Sequence, residues 1–191
     1  NVCGTELLLE IAAECGSQAQ IIIASSSSVY GHPNDSQDLS EENELTYVPE
    51  EGGLVGYALS KLANEVQAMA YHREFGLRVI IPRFFNVVGP RQTGTYGFVI
   101  PRFIEQAVSG RPLTVFGDGT QIRSFCDVRD TIRALELLAG MDCGRGASVY
   151  GQVVNVRNSR EIRILDLAKL VIERAGSDSD IEFVSFDKAY G

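Results

Sequence analysis

Hydrophobic positions along this chain fall into alternating helical and strand-like blocks. Between Thr5 and Cys15, Leu8, Leu9, Ala12 and Ala13 recur at helical spacing, and Gly16 follows as a stop. Gln20 to Ser25 carries the nearly continuous run Ile21-Ile22-Ile23-Ala24, the pattern of a parallel strand buried on both faces. A polar loop with Pro33, Asn34, Asp35 and Pro49 comes next. Tyr57 to Phe75 then predicts a long helix, with Leu62, Val66, Met69 and Ala70 on one side and Gly76 just past its end. Leu77 to Phe85 reads as a second buried strand, and Pro82, which has no N–H to give a ladder, predicts its ending.

The alternation loosens but continues. Phe98 to Ser109 predicts a helix, Leu113 to Phe116 a strand, Val128 to Leu138 a helix and Val153 to Val156 a strand. Ile164 to Ala175 is an amphipathic helix and Ile181 to Val184 a last short strand. This order predicts an α/β fold with a parallel sheet. Residues 1–90 read as the second half of a doubly wound sheet, a partial Rossmann-type arrangement. Residues 91–191, punctuated by Gly94, Gly97 and Gly117-Asp118-Gly119, read mainly as a smaller ligand-covering α/β lobe, with some segments returning to the sheet. No G-x-x-G-x-x-G turn links a strand to a helix.

Composition narrows the function classes. The chain has 191 residues, 45% hydrophobic and 22% charged, the mix of a soluble globular protein. No run approaches the ~18 apolar residues of a membrane span. A net charge of −8, with 17 scattered Lys and Arg, argues against a nucleic-acid surface but not against a small anionic ligand. Cys3, Cys15, Cys126 and Cys143 show no CxxC pairing and no His at zinc spacing, which predicts no metal site and reduced, mostly buried thiols in a cytoplasmic protein. The opening Asn1-Val2-Cys3-Gly4-Thr5 lacks an initiator Met, so the chain is expected to begin inside a domain.

Three segments carry candidate chemistry. Tyr57 and Lys61 lie four residues apart on a predicted helix, hence on one face. A phenol titrates near pH ~10 in water, and a fixed ammonium nearby favours the phenolate, so the pair is a candidate general acid/base. Upstream, a buried strand ends in Ser25-Ser26-Ser27-Ser28-Val29-Tyr30-Gly31. Hydroxyls at the carboxyl end of a central strand sit where open α/β sheets bind ligands. Downstream, the next strand ends in Pro82-Arg83-Phe84-Phe85-Asn86-Val87-Val88-Gly89-Pro90. Each piece alone could be an ordinary strand exit or an exposed helix face.

Taken in order, S-S-S-x-V-Y-G, Y-x-x-x-K, P-R-x-F-N-x-x-G-P and P-L-T-V-F-G-D-G-T-Q-x-R-S-F resemble the extended short-chain dehydrogenase/reductases. Within them the chain is most similar to the NAD-dependent epimerase/dehydratase group, with the UDP-glucose 4-epimerase type nearest. The resemblance implies Tyr57 as acid/base, Lys61 on the nicotinamide ribose and Ser26 as the catalytic hydroxyl. It implies NAD as cofactor, with Ser25, Tyr57, Lys61 and Pro82 on the cofactor side. For a UDP-sugar it implies Ser26, Asn86 near the phosphates, Val115 and Phe116 along the uracil, Gln121, and Arg123 on the pyrophosphate. Arginine suits that task because its planar fork pairs with phosphate oxygens. Relatives are expected to form homodimers through a four-helix bundle that would include the helix from Tyr57 to Phe75. The family's glycine-rich turn, expected within roughly 100 preceding residues, is not part of this chain.

Within that group the reaction is expected to turn on Ser27 and Ser28. The resemblance implies Asp-Glu at these two positions in 4,6-dehydratases and a glutamate at the second in UDP-glucuronate decarboxylases. With hydroxyls there, 4-epimerisation is the expected reaction; a dehydratase, decarboxylase or reductase, or a catalytically incomplete fragment, is the alternative. Arg157 and Arg163 stand where relatives usually show glycine and a Ser or Thr helix cap.

Overall fold

Helix α1 (Val2–Glu14) leads into β1 (Gln20–Ile22), β2 (Ser25–Ser26) and a 3₁₀ turn over Ser27–Tyr30. Helix α2 (Gly53–Phe75) is followed by β3 (Arg78–Phe84) and the short β4 (Val87–Val88). Next come α3 (Val99–Val108), β5 (Leu113–Phe116), β6 (Ile122–Ser124) and β7 (Cys126–Asp127). The chain continues through α4 (Val128–Gly140), β8 (Gln152–Val156), β9 (Glu161–Arg163), α5 (Ile164–Ala175) and β10 (Ile181–Val184). These elements belong to a computed structural model. It describes residues 1–31, 39–42, 53–94, 98–141 and 148–185; Pro33, Asn34, Asp35, Pro49, Gly97 and Cys143 lie outside them.

The elements fall into two compact units, Asn1–Phe85 with Arg129–Arg157, and Asn86–Val128 with Asn158–Gly191. In the first, β3 is the centre of a parallel sheet, paired with β1 and β2 on one side and β8 on the other. Val79 and Ile81 pack with Leu9, Ile23, Ala68 and Leu77 beneath α1 and α2. Ile80 packs on the other face with Leu138, Val149 and Val156, beneath α4. Successive side chains of one strand are thus buried on opposite faces, which is why the run shows no polar alternation.

Pro82 does not end its strand. β3 runs through it to Phe84, with Pro82 opposite Val154 in an unbroken pairing to β8. The interruption falls on the other neighbour, between β1 and β2. There Ile22 pairs with Ile80 and Ser25 with Arg83, so Ala24 stands opposite Pro82. Ile80 accepts from Ile23 N–H, whereas Val79 accepts from Gly151 N–H and Phe85 donates to Val156. Even-numbered positions of β3 therefore face β1 and β2, and the N–H that proline lacks is lost from that ladder alone.

In the second unit β5 and β10 pair in parallel, covered by α3 and α5. Phe103, Ala107, Leu113, Val115, Leu167 and Ala168 form its core. The pairs β4–β7 and β6–β9 are two or three residues long and had no readable periodicity. Arg163 at the start of α5 supplies no side-chain cap. Backbone carbonyls replace it: Gln121 and Gly119 accept from the N–H groups of Ile164 and Leu165, each at 3.0 Å.

The expectation of mostly buried thiols fails for two of the three described cysteines. Cys3 and Cys15 are exposed and Cys126 is buried. Cys3 lies on the exposed side of α1, whose one buried residue is Leu9, and Cys15 stands just past the helix end. Among the described residues no helix is long and apolar enough to cross a membrane, and no group of three or more His, Cys, Asp or Glu could hold a metal ion.

Candidate functional site

Helix α2 lies against β2 and the 3₁₀ turn, so its first turns reach the carboxyl end of the parallel strands. The Tyr57 side chain there is 43% exposed, which leaves its phenol open to a ligand. One turn on, Lys61 holds its ammonium 5.8 Å from the Tyr57 ring centroid. The same ammonium donates to the Ala24 carbonyl at 2.9 Å, immediately before Ser25 and Ser26. Even positions of the β1–β2 strand turn away from β3, so this carbonyl lies outside the β3 ladder and the lysine takes it up. The strand end and the tyrosine's helix are thereby tied together. Ser26 organises the turn that follows, accepting from Ser28 N–H at 3.2 Å and donating to Ser28 Oγ at 3.1 Å.

Beneath these groups lies a buried polar knot. Ser25, Arg83 and Asn155 are register neighbours across β2, β3 and β8, so they form one polar row at the strands' carboxyl end. Arg83 donates to Glu65 through Nε at 2.9 Å and Nη2 at 2.7 Å, a bidentate ion pair. Ser25 Oγ donates to the same carboxylate. Glu65 is fully buried and Arg83 only 4% exposed. The Arg83 guanidinium stacks on Tyr30, 4.6 Å from the ring centroid, and the Tyr30 hydroxyl donates to Asn155 Oδ1 at 2.8 Å. Burial works against the guanidinium's charge, but the bonds to Glu65 and Tyr30 outweigh it and hold the group above its ordinary value. The Ser25 hydroxyl is thus committed to Glu65, and the Pro82 ring is wholly buried in β3.

The other candidate residues lie in the second unit. Asn86 is exposed with its backbone at φ +28°, on the left-handed side that asparagine enters more readily than most residues. Its amide donates to the Ser124 carbonyl at 2.9 Å and its carbonyl accepts from Cys126 N–H at 3.2 Å. This sets it beside β6, which carries the exposed Arg123. One Arg123 nitrogen donates to its neighbour's carbonyl, that of Ile122, at 2.7 Å. Gln121 donates to the Phe116 carbonyl at 2.8 Å, while its Oε1 is buried without a partner among the described residues. The Phe116 ring lies 4.0 Å below the Arg102 guanidinium. Val115 is fully buried in the core.

Sequence reasoning had not singled out Glu65, Tyr30 or Asn155. One signal was available for the first: Tyr57, Lys61 and Glu65 stand at steps of four on one helix. For the other two the contacts span 125 residues of sequence and have no local signature.

Comparison with known proteins identifies the family and the fold. The family described as NAD dependent epimerase/dehydratase matches residues 1–156. The UDP-N-acetyl-alpha-D-glucosaminuronate decarboxylase of Bacillus cytotoxicus is 35% identical over 191 residues, all of this chain and 56% of that protein. The structure of dTDP-glucose 4,6-dehydratase from Bacillus anthracis in complex with NAD matches with a TM-score of 0.82 at 28% identity, over 96% of this chain and 55% of that one. That of UDP-glucuronic acid 4-epimerase from Bacillus cereus, in complex with UDP-glucuronic acid and NAD, matches with a TM-score of 0.79 at 31% identity, over 96% and 54%. This chain therefore spans about half the length of these relatives. With an exposed tyrosine, its lysine and a serine-rich strand end joined on a doubly covered parallel sheet, the chain belongs to the NAD dependent epimerase/dehydratase family.

Proposed function

We propose that this chain carries the acid/base residues of an NAD-dependent 4-epimerase of a UDP-hexose, working through a 4-keto sugar. The observation that carries this reading is the tie from Lys61 to Ala24, which ranges the exposed Tyr57 beside the strand end bearing Ser26. The donor set suits NAD. Lys61 has given one of three ammonium N–H groups to Ala24, and the others, with the Tyr57 hydroxyl, are of the kind that hold ribose hydroxyls. Ser25 and Pro82, expected on the cofactor side, are buried in β2 and β3. Bound NAD supplies the acceptor, and then the donor, of the hydride at the sugar's C4.

Tyr57 takes the proton from the C4 hydroxyl, and Lys61 keeps positive charge close to the phenolate that does so. Ser26 turns its hydroxyl from Ser28 to the sugar oxygen. Asn86, Gln121 and Arg123, with the backbone at Val115 and Phe116, hold the uridine diphosphate. Residues 1–90 thus serve chiefly the cofactor and the chemistry, and residues 91–191 chiefly the substrate. The exposed thiols of Cys3 and Cys15 suit a reducing compartment such as the cytoplasm. Leu7, Leu8 and Ile11 on α1, and Leu59 and Val66 on α2, remain exposed on two adjacent helices, which suits a homodimer built on them.

A second reading is decarboxylation of a UDP-uronic acid, favoured by the 35% identity to the Bacillus cytotoxicus decarboxylase along the whole chain. Ser27 and Ser28 favour epimerisation, because neither is the carboxyl residue that the resemblance implies at these positions in dehydratases and decarboxylases. The intact protein is incubated with NAD and, separately, UDP-galactose, UDP-N-acetylgalactosamine and UDP-glucuronic acid. A C4-inverted product, lost in Tyr57→Phe, supports the epimerase. Carbon dioxide and a UDP-pentose from UDP-glucuronic acid support the second reading. No conversion of any of the three by folded, NAD-bound protein overturns both.

A further inference from the structure

We propose that Glu65 is a positioning residue of this site, setting the register between the helix that carries Tyr57 and the strand end that carries Ser26; the proposal rests on the reading of those two residues above. Glu65 is one turn beyond Lys61 and two beyond Tyr57, and its carboxylate is wholly buried. It gathers three donors from two strands: Ser25 Oγ on β2, and Nε and Nη2 of Arg83 on β3. Ser25 and Arg83 face each other in the β2–β3 pairing, so one carboxylate pins both strands at the same level. Ser25 is covalently joined to Ser26, and Ala24, which binds Lys61, precedes it.

Helix α2 and the strand end therefore meet at two consecutive residues, Ala24 through Lys61 and Ser25 through Glu65. A single tie would leave the helix free to rotate about it or to slide along the strand. Two ties one helical turn apart remove that freedom, and they sit on the same helical face as Tyr57. The choice of charged groups points the same way. A buried ion pair is a poor stabiliser compared with apolar side chains of the same volume, but it is exacting about geometry. Arg83 is itself steered, by stacking on Tyr30, whose hydroxyl is bonded to Asn155 on β8. The whole width of the sheet thus converges on the carboxylate that indexes α2.

The test removes the tie while leaving the ion pair whole. In the intact protein Ser25→Ala deletes one hydroxyl, and the smaller change Ser25→Cys keeps a weaker donor. Two readouts are taken at unchanged Tm. The first is acylation of Lys61 by a water-soluble reagent, quantified by mass spectrometry against the exposed Lys169. The second is turnover of whichever UDP-sugar the wild type accepts, with NAD affinity measured alongside. Ser25→Ala is expected to raise relative Lys61 labelling several-fold. It should also lower kcat by about tenfold or more, because small misplacements of reacting groups are costly, with KM and NAD affinity within about twofold. Ser25→Cys is expected to fall between. Unchanged labelling and unchanged kcat in Ser25→Ala overturn the proposal, as does a fall in NAD affinity that accounts for the whole loss. A wild type that turns over no UDP-sugar overturns the functional reading instead, and Lys61 labelling then decides the positioning role alone.

Discussion

Tyr57 and Arg83 show how differently two polar residues can be used within one small region. Tyr57 is 43% exposed and contributes little packing, so Tyr57→Phe is expected to leave Tm unchanged while lowering kcat by about 10²- to 10⁴-fold, measured by product formation. Arg83 is 4% exposed and neutralises a buried carboxylate. Arg83→Met strands that charge, at a cost of about 3–5 kcal/mol, which urea unfolding will register. Asp118 titrates in a third way. The amide and hydroxyl of Thr120 donate to its carboxylate at 3.0 and 2.7 Å and hold it below the usual carboxylate range. A depressed folded value means that its stabilising share is complete above pH ~4 and is lost as pH falls through the lowered value. Thr120→Val is expected to move the Asp118 titration upward in a carboxyl-carbon NMR experiment. At this scale Tyr57 and Lys61 were legible because a four-residue step on a helix is local. The partners of Arg83 were not, since nothing local separates a buried arginine from a solvated one.

Among the elements, the turn at Gly117–Gly119 and helix α5 illustrate mutual dependence. Arg163 gives α5 no side-chain cap, and the carbonyls of Gly119 and Gln121 take its first N–H groups instead. Gly119 has φ +76°, and an added Cβ would lie 2.9 Å from Val115 Cγ1 and 3.0 Å from Leu165 Cβ. Gly119→Ala is therefore expected to cost about 2 kcal/mol or more in a denaturant titration, through left-handed backbone strain and contact with the helix it caps. The longer helices and strands were readable to within a few residues because each has its own hydrophobic period. The strands β4, β6, β7 and β9 were not, because two or three residues are too few to show a period of two. Pro82 was misread as a terminus for a related reason. Whether a proline breaks a ladder depends on which neighbour its nitrogen faces, and that is a property of the sheet.

Over the whole molecule, the expected site residues divide between two compact units, Tyr57, Lys61, Ser25 and Ser26 in one, and Asn86, Gln121 and Arg123 in the other. The chain carries a net charge of −8, so an anionic ligand depends on a few local cations rather than on a general field. UDP at one hundred times its Kd is expected to raise unfolding stability by about 2.7 kcal/mol, seen as a thermal shift, and Arg123→Ala to remove most of it. The amino-acid sequence by itself determined the α/β alternation, the buried parallel strand β3 and the order of the four motifs, because each is written in neighbouring residues through period, turn chemistry or spacing. The first apolar run, expected to be buried on both faces, instead leaves Ile22 of β1 37% exposed. Only the tertiary structure decided that Ser25 faces Glu65 rather than a ligand, that α5 is capped by a distant turn, and that Ser25, Arg83 and Asn155 share one row. Those facts follow from the register between strands distant in the chain, which burial of both sheet faces selects and no local pattern records.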